Sequence, residues 1–179
     1  MPATRFVSQS LSATEQKGWL IQHIPHRVCA ALALLGTQGH WKLPPEPKLS
    51  GVHGWCVGRS VEEGRMTAIR WLIEFVGIKH SRLPKTVTIQ SFGVNHFDDP
   101  NQVLQKIWKA CSQACSHPTS DSGHDPLGGE QLTKAFLIVA AYLETSLYIP
   151  RKLDFRRIVW EQDDLLNRKT SIDDVRLKE

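Results

Sequence analysis

The segment from Val52 to Gln90 constrains the fold of this chain more than any other. It reads VHGWCVGRSVEEGRMTAIRWLIEFVGIKHSRLPKTVTIQ. The short apolar run Val52–Val57 is typical of a strand, and the apolar stripe after it is typical of an amphipathic helix that ends at Gly77. Alternating apolar and polar residues between Thr86 and Phe92 predict a second strand. The segment therefore predicts a strand, a tight turn, a helix and a strand in succession.

The turn Gly58-Arg59-Ser60 is the strongest candidate site in this segment. Ser60 and Glu63 have the spacing of a capping box, which places the start of the helix at Ser60. The first N–H groups of a helix lack partners and lie at the positive end of its dipole, so they can bind an anion. His53 leads into the turn. We therefore predict phosphate or nucleotide binding by Gly58, Arg59, Ser60 and His53.

Glu62 and Arg65 follow on the first turn of the same predicted helix. They are three residues apart and so share a face. A carboxylate there can hold a divalent ion such as Mg²⁺ for phosphate chemistry, and an arginine can support the phosphate. This interpretation makes Glu62 and Arg65 catalytic, with Glu62 as the metal ligand. The alternative is a surface ion pair with little effect on stability.

The rest of the chain predicts further helices around a small sheet. Ser12 and Glu15 fit a capping box, and Pro25 either ends the helix that follows or begins the next one. Other helices are expected over His26–Leu35 (with a buried strand as the alternative), from Asp98 or Asp99 to about Ser116, and over Glu130–Tyr148, and a last strand over Phe155–Trp160. We therefore predict an α+β fold with one small mixed sheet packed against about five helices. Residues 1–160 form a single globular domain in this interpretation, and residues 161–179 form a charged C-terminal tail.

The charge is uneven along the 179 residues. The net charge is +4, and residues 1–100 carry eleven Lys and Arg against seven Asp and Glu, whereas the remainder is balanced. A basic excess favours polyanionic partners. No signal-peptide pattern and no apolar run long enough to span a bilayer is seen, so a cytoplasmic protein without membrane insertion is expected. The oligomeric state stays open.

Two basic patches are candidates for contact with nucleic acid. The residues are Lys79, His80, Arg82 and Lys85 in one patch, and Arg151, Lys152, Arg156 and Arg157 in the other. Such patches give contacts to phosphates that do not depend on base sequence. A solvated protein face explains each patch equally well.

The cysteines and the known sequence motifs give no clear metal site or catalytic site. Cys111 and Cys115 share a helix face and could bind a soft metal, but that face is apolar, which favours core packing. In a cytoplasmic protein all four cysteines are expected to be thiols. The sequence contains no P-loop, no GxGxxG, no GxSxG and no HExxH motif.

The segment Glu62–Ala68, with the helix, Gly77, Pro84 and strand that follow, resembles the ParB/sulfiredoxin fold. Arg65 and Ala68 match the Arg–Ala spacing of that family, whereas its glycine falls where this chain has Glu62. In size and character the chain resembles the plasmid fertility-inhibition factors of that superfamily. The resemblance implies binding of ATP or another nucleotide, ATPase or DNase activity, and inhibition of DNA transfer by a type IV secretion system. It gives Arg65 the phosphate contact and Glu62 a role with metal or water.

Two functions are therefore expected from the sequence. The first is a small bacterial protein that binds or acts on nucleotide or DNA phosphates. The second is a protein-interaction module, an inhibitor or adaptor of a larger machine, that has no chemistry of its own.

Overall fold

In the computed structural model, all regular secondary structure in the described part of the chain is helical. It describes residues 8–36, 51–78, 86–116 and 128–164, with the backbone alone at 36, 51–59, 114–116 and 163–164. Of the described residues 77% are helical, and none forms a β-strand. The helices are α1 (Ala13–Gly18), α2 (Ile24–Gly36), α3 (Gly51–Phe75), α4 (Val103–Ser116), α5 (Gly129–Leu143) and α6 (Phe155–Asp164). Two π-helical segments (Trp19–His23 and Glu144–Tyr148) and two 3₁₀ turns (Ile89–Phe92 and Ile149–Arg151) complete them.

The prediction of an α+β fold with a mixed sheet is wrong for these residues. Val52–Val57 lies inside α3, Phe155–Trp160 lies inside α6, and the chain from Thr86 to Phe92 runs through an extended stretch into a 3₁₀ turn. A short apolar run has no period that separates a strand from a buried helix. In α6 the buried residues Phe155 and Val159 are four apart, which is the spacing of a helix face.

Helix α3 is the central element, and it packs against α2, α4 and α5. Helix α2 runs antiparallel to it, because Arg65 bonds Leu34 while Arg27 lies over Trp71. The predicted apolar stripe of α3 is confirmed, since it packs in the core. Its members are Met66, Ile69, Leu72, Ile73 and Val76. The predicted end of the helix is confirmed too: Gly77 has φ +92°, and a Cβ there would overlap the His96 ring.

An Ile-Pro pair follows each π-helical segment. Trp19–His23 precedes Ile24-Pro25, and Glu144–Tyr148 precedes Ile149-Pro150. Proline has no N–H to donate to the carbonyl four residues back, and its ring crowds that carbonyl. At Pro25 the wider turn accommodates the proline without ending the helix, whereas the helix that contains Pro150 ends at Arg151. The chain therefore continues as a helix through Pro25, where the sequence predicted a boundary.

Tyr148 connects the two π-helical segments. The Ile24 N–H donates to the Trp19 carbonyl, five residues back, so it does not bond the Leu20 carbonyl. The Tyr148 hydroxyl donates to that Leu20 carbonyl instead, at 2.9 Å. Burial of the ring raises the pKa of the Tyr148 phenol. The hydrogen bond holds the Trp19–His23 segment against the C-terminal part of the chain.

Helix α6 bonds the same region. Pro25 cannot donate to the Ile21 carbonyl, and Gln162 Nε2 donates to that carbonyl at 3.3 Å. Because α6 extends to Asp164, residues 161–164 of the predicted tail are helical. Residues 165–179 lie outside the described part of the chain.

The apolar helix predicted over Glu130–Tyr148 is confirmed as α5 and the π-helical segment after it. Within the described residues, the stretch Gly129–Arg151 is long and apolar enough to cross a membrane, and half of its most apolar window is buried inside the molecule. Leu132, Phe136 and Leu143 lie in the core. Helix α5 packs against α2, α3 and α4.

Candidate binding surface

The predicted phosphate-binding turn at Gly58-Arg59-Ser60 is not a helix start. Helix α3 begins at Gly51, so these three residues lie well inside it. N–H groups in a helix interior bond the carbonyl four residues back and are not available to an anion. The local geometry on which the site was predicted is therefore missing. The side chains of His53 and Arg59 lie outside the described ones, so their roles stay predictions.

Arg65 is a structural arginine in this geometry. Its side chain is 8% exposed, Nε donates to the Leu34 carbonyl at 2.6 Å, and Nη1 pairs with Glu62 Oε1 at 2.5 Å. Leu34 lies in the last turn of α2, where carbonyls lack helical partners and the dipole is negative. Arg65 therefore caps α2 from α3, and Glu62 holds the far side of the guanidinium. The predicted ion pair between Glu62 and Arg65 is present. The Arg65 guanidinium, however, bonds oxygens of Leu34 and Glu62 in place of the predicted phosphate.

Two arginines of the second basic patch also have protein partners. Arg156 pairs with Glu144, and Arg157 pairs with Glu161, each at 2.8 Å. The hydrogen bond with Glu161 raises the pKa of Arg157. Contact of Arg156 or Arg157 with nucleic acid would have to compete with these carboxylates. Lys79, His80, Arg82 and Lys85 lie outside the described residues.

A surface that the sequence did not single out combines aromatic rings with cationic side chains. We call it the aromatic–basic seam; its residues are Trp19, His23, Arg27, Trp71 and Phe75. The rings of Trp19, Trp71 and Phe75 are within 8° of parallel, with centroids 5.3 to 6.5 Å apart. The His23 ring lies 4.9 Å from that of Trp19. The Arg27 guanidinium lies over Trp71, 5.4 Å from its ring centre.

Two antiparallel helical stretches build the seam. Trp19, His23 and Arg27 recur every four residues from the first π-helical segment into α2, and Trp71 and Phe75 are four apart on α3. Residues at this spacing lie on one side of a helix. The seam is therefore the line along which one side of α2 meets one side of α3.

Burial divides the seam into an inner and an outer side. Phe75 is 2% exposed and belongs to the core. Trp19 and Trp71 are half-buried, and His23 and Arg27 are exposed. Phe75 therefore lies on the inner side of the seam, and Arg27, which lies over the Trp71 ring, lies on its outer side. The surface thus presents aromatic area edged by positive charge.

Arg27 differs from the other described arginines in its partner. Its recorded contact is the Trp71 ring, whereas the others bond or pair with carboxylate or carbonyl oxygens. Those arginines are Arg65, Arg70, Arg151, Arg156 and Arg157. An exposed cation–π contact is weak, about 0.5–1 kcal/mol. Arg27 is therefore the described guanidinium that an incoming anion can bind at the lowest cost.

The seam suits a ligand that is planar and negatively charged. Aromatic side chains stack on the faces of nucleobases regardless of their identity, and a guanidinium binds a phosphate through two parallel hydrogen bonds. The sequence contains a signal for this surface, namely tryptophan, histidine and arginine at four-residue intervals. The predicted helix boundary at Pro25 lies between His23 and Arg27, so the sequence analysis does not connect these residues into one helix face.

The structure describes two of the side chains considered as metal ligands, Glu62 and Cys111. No group of three or more His, Cys, Asp or Glu side chains is placed in the described part of the chain to hold a metal ion. Glu62, the predicted ligand, has Arg65 on its carboxylate. Cys111 is fully buried in the core, which confirms core packing at that position. The side chains of Cys56 and Cys115 lie outside the described ones.

Comparison with protein-family models, with curated proteins and with solved structures found no match for this chain.

Proposed function

We propose that this chain binds a nucleotide or single-stranded DNA through the aromatic–basic seam. The observation that carries the proposal is the position of Arg27, an exposed guanidinium on an aromatic face without an oxygen partner in the described structure. The basic excess of residues 1–100 also supports an anionic ligand. The proposal keeps the ligand class predicted from the sequence and moves its site away from Gly58–Ser60.

The first experiment is isothermal titration calorimetry of the purified chain with ATP and with a single-stranded oligothymidylate. Trp71→Leu removes the stacking ring and keeps an apolar side chain on α3. Loss of one base–aromatic stack is expected to weaken binding about tenfold. The matched control is Trp160→Leu, which removes a tryptophan that is 42% exposed on α6. Equal affinity of the two variants, or no binding by the wild type, would rule the proposal out.

Catalysis is a separate proposal. The resemblance implies nucleotide hydrolysis and DNA cleavage, with Arg65 contacting the phosphate and Glu62 acting with metal or water, and the carboxylate of Glu62 is the predicted ligand for Mg²⁺. Product release from ATP or DNA, measured with and without Mg²⁺, tests it, and Glu62→Ala is the decisive variant. Activity that disappears in Glu62→Ala would support an enzyme. Binding without turnover would leave a binding protein.

A protein-interaction module is the second candidate function. It is favoured by large apolar side chains exposed on the C-terminal side, since Ile149 is 59% and Trp160 is 42% exposed. Ile21, 37% exposed, follows Leu20, whose carbonyl bonds Tyr148, next to Ile149. Single exposed apolar residues are common on soluble proteins, so this observation supports less than the seam does.

The two candidates separate in a DNA-transfer assay, which also tests the fertility-inhibition role. Donor cells that express the wild-type chain are expected to transfer a conjugative plasmid less often than cells without it. If the seam carries the function, Trp71→Leu restores transfer and Trp160→Lys does not. The reverse result would favour the interaction module. Unchanged transfer in cells with the wild type would rule out the fertility-inhibition role.

A further inference from the structure

We infer that the seam binds one nucleotide unit and that Arg27 is a displaceable cover over the base site. In this arrangement the base stacks on Trp71 where the guanidinium lies in the ligand-free protein, and the guanidinium turns to the phosphate. The inference rests on the proposed function and adds the size of the ligand and the role of Arg27.

The position of the base follows from the contact that the exposed Arg27 makes with Trp71. The Trp71 ring lies parallel to two other rings, the buried Phe75 at 5.3 Å and 8° and the half-buried Trp19 at 6.5 Å and 7°. Arg27 is exposed and lies over the same ring at 5.4 Å. A planar ligand that arrives from solvent can therefore stack on Trp71 by taking the place of the Arg27 guanidinium.

The exchange is favourable because each group gains a better partner. A base stacked on an aromatic side chain gains more than an exposed cation–π contact loses. The displaced guanidinium can form two charge-assisted hydrogen bonds with a phosphate. His23, four residues before Arg27 on the same side, offers a further ring N–H to the same phosphate.

The size of the ligand follows from the charges along the α2–α3 line. Between Arg27 and the Arg65–Glu62 pair, the described residues where α2 meets α3 are apolar or small. Leu34 lies beside Gly64 in this stretch. Past them the Glu62 carboxylate, 50% exposed, neutralises Arg65. A second or third phosphate placed there would meet no described free cation and a negative charge. One guanidinium and one imidazole match one phosphate.

The test compares three ligands on the full chain: a nucleoside, its 5′-monophosphate and an oligothymidylate. The variant Arg27→Ala uncovers Trp71 and removes the guanidinium. We expect it to weaken binding of the monophosphate about tenfold and to tighten binding of the uncharged nucleoside. Lys109→Ala, which removes an exposed cation on α4, is expected to leave both affinities unchanged. Arg27→Lys keeps the positive charge and loses the two parallel hydrogen bonds of the guanidinium. Its affinity for the monophosphate is expected to lie between those of Arg27→Ala and the wild type.

Salt dependence tests the size of the site. For the oligonucleotide, the logarithm of the association constant should fall with the logarithm of salt concentration with a slope of about −0.7, because one phosphate is neutralised. A steeper slope for the oligonucleotide would show a track of several phosphates and would overturn the one-unit site. A nucleoside that binds Arg27→Ala more weakly than the wild type would overturn the role of Arg27 as a cover. If the wild type binds none of the three ligands, the proposed function itself fails.

Discussion

Two arginines lie between the same pair of helices, and their surroundings differ completely. Arg65 reaches from α3 to the end of α2, where it is buried and bonds Leu34 O and Glu62. Arg27 reaches from α2 to α3, where it is exposed and lies on the Trp71 ring. The two sites are seven residues apart along α2: the displaceable cation is Arg27 itself, and the fixed cation is Arg65, which bonds α2 at Leu34.

The comparison teaches that formal charge does not identify a ligand site. A guanidinium whose donors are already on protein oxygens must break those bonds before it binds a phosphate, and in a buried position the broken bonds are not replaced by water. A guanidinium on an exposed ring gives up little. The predictions below test this difference, beginning with the largest effect.

The largest effect is expected from removal of the fixed cation. Arg65→Met leaves the Leu34 carbonyl without its donor and Glu62 without its partner, so the free energy of unfolding should fall by about 2–3 kcal/mol. Arg27→Met removes an exposed cation–π contact and should cost about 0.5–1 kcal/mol. Urea unfolding of both variants, with unchanged m-values, measures the difference. A larger loss in Arg27→Met than in Arg65→Met would reverse the assignment of the two arginines.

The next effect concerns the hydrogen bond that holds the seam in place. Tyr148→Phe removes the donor to the Leu20 carbonyl, and the free energy of unfolding at neutral pH should fall by about 1–1.5 kcal/mol. Since Leu20 lies in the segment that carries Trp19 and His23, a weaker affinity for nucleotide is expected as well. Unchanged affinity would mean that the seam does not depend on this bond.

The same variant has a pH signature. Burial raises the pKa of the folded-state Tyr148 phenol, so above the ordinary tyrosine pKa of about 10 the unfolded chain loses this proton first. This contribution to stability is complete below that pH and is lost as pH rises through it. Tyr148→Phe lacks the titration, so its stability deficit should narrow between neutral pH and pH values above about 10. A constant deficit would contradict burial of the phenol.

A smaller effect tests the helix contact between the two arginines. Gly64 lies inside α3, and an added Cβ would stand 3.4 Å from Leu34 Cδ1, the tip of a flexible side chain. Gly64→Ala should therefore raise the free energy of unfolding by about 0.5–1 kcal/mol, the usual gain from replacing a helical glycine. Gly18→Ala is the control, because a Cβ there has no neighbour within 4 Å. A loss in Gly64→Ala beside a gain in Gly18→Ala would show that α2 and α3 are too close at this point for the added methyl group.

Local patterns predicted much of the helical structure. Three predicted features depend only on neighbours within one or two helical turns. They are the Ser12–Glu15 capping box, the apolar stripe of α3 and the end of α3 at Gly77. The helix over Glu130–Tyr148 was predicted for the same reason. Such features need no knowledge of distant residues.

The sheet was predicted wrongly because its strands depended on short runs. Val52–Val57 contains Gly54 and no helical stripe, and glycine weakens a helix. The run is helical as part of a 25-residue helix, which a window of six residues cannot indicate. At Pro25 the error was the opposite one, because a helix boundary was predicted and the helix continues. The π-helical turn before Pro25 accommodates the proline within the helix.

The roles of the two arginines could not be predicted either. Arg27 and Arg65 both lie on amphipathic helices, and only the antiparallel pairing of α2 with α3 places one at a helix end and the other on a ring. That pairing brings together residues far apart in sequence, such as Leu34 and Arg65. The four-residue spacing of Trp19, His23 and Arg27 was visible, but its meaning depended on the partner helix.

The smallest effect tests whether the start of the first helix supports the seam. Hydrogen bonds from the Ser12 hydroxyl and the Ser12 N–H lower the pKa of Glu15. A lowered folded-state pKa contributes stability above the ordinary pKa of about 4.3, and that contribution is lost as pH falls through the folded-state value. Ser12→Ala should therefore lower Tm slightly at pH 7, and the deficit should shrink in acid, while Thr14→Ala on the same exposed turn serves as the control. Trp19 follows α1 directly. A weaker nucleotide affinity in Ser12→Ala would therefore show that the capping box helps to hold the seam in place. Unchanged affinity would show that the seam depends on the Tyr148 hydrogen bond and not on the capping box.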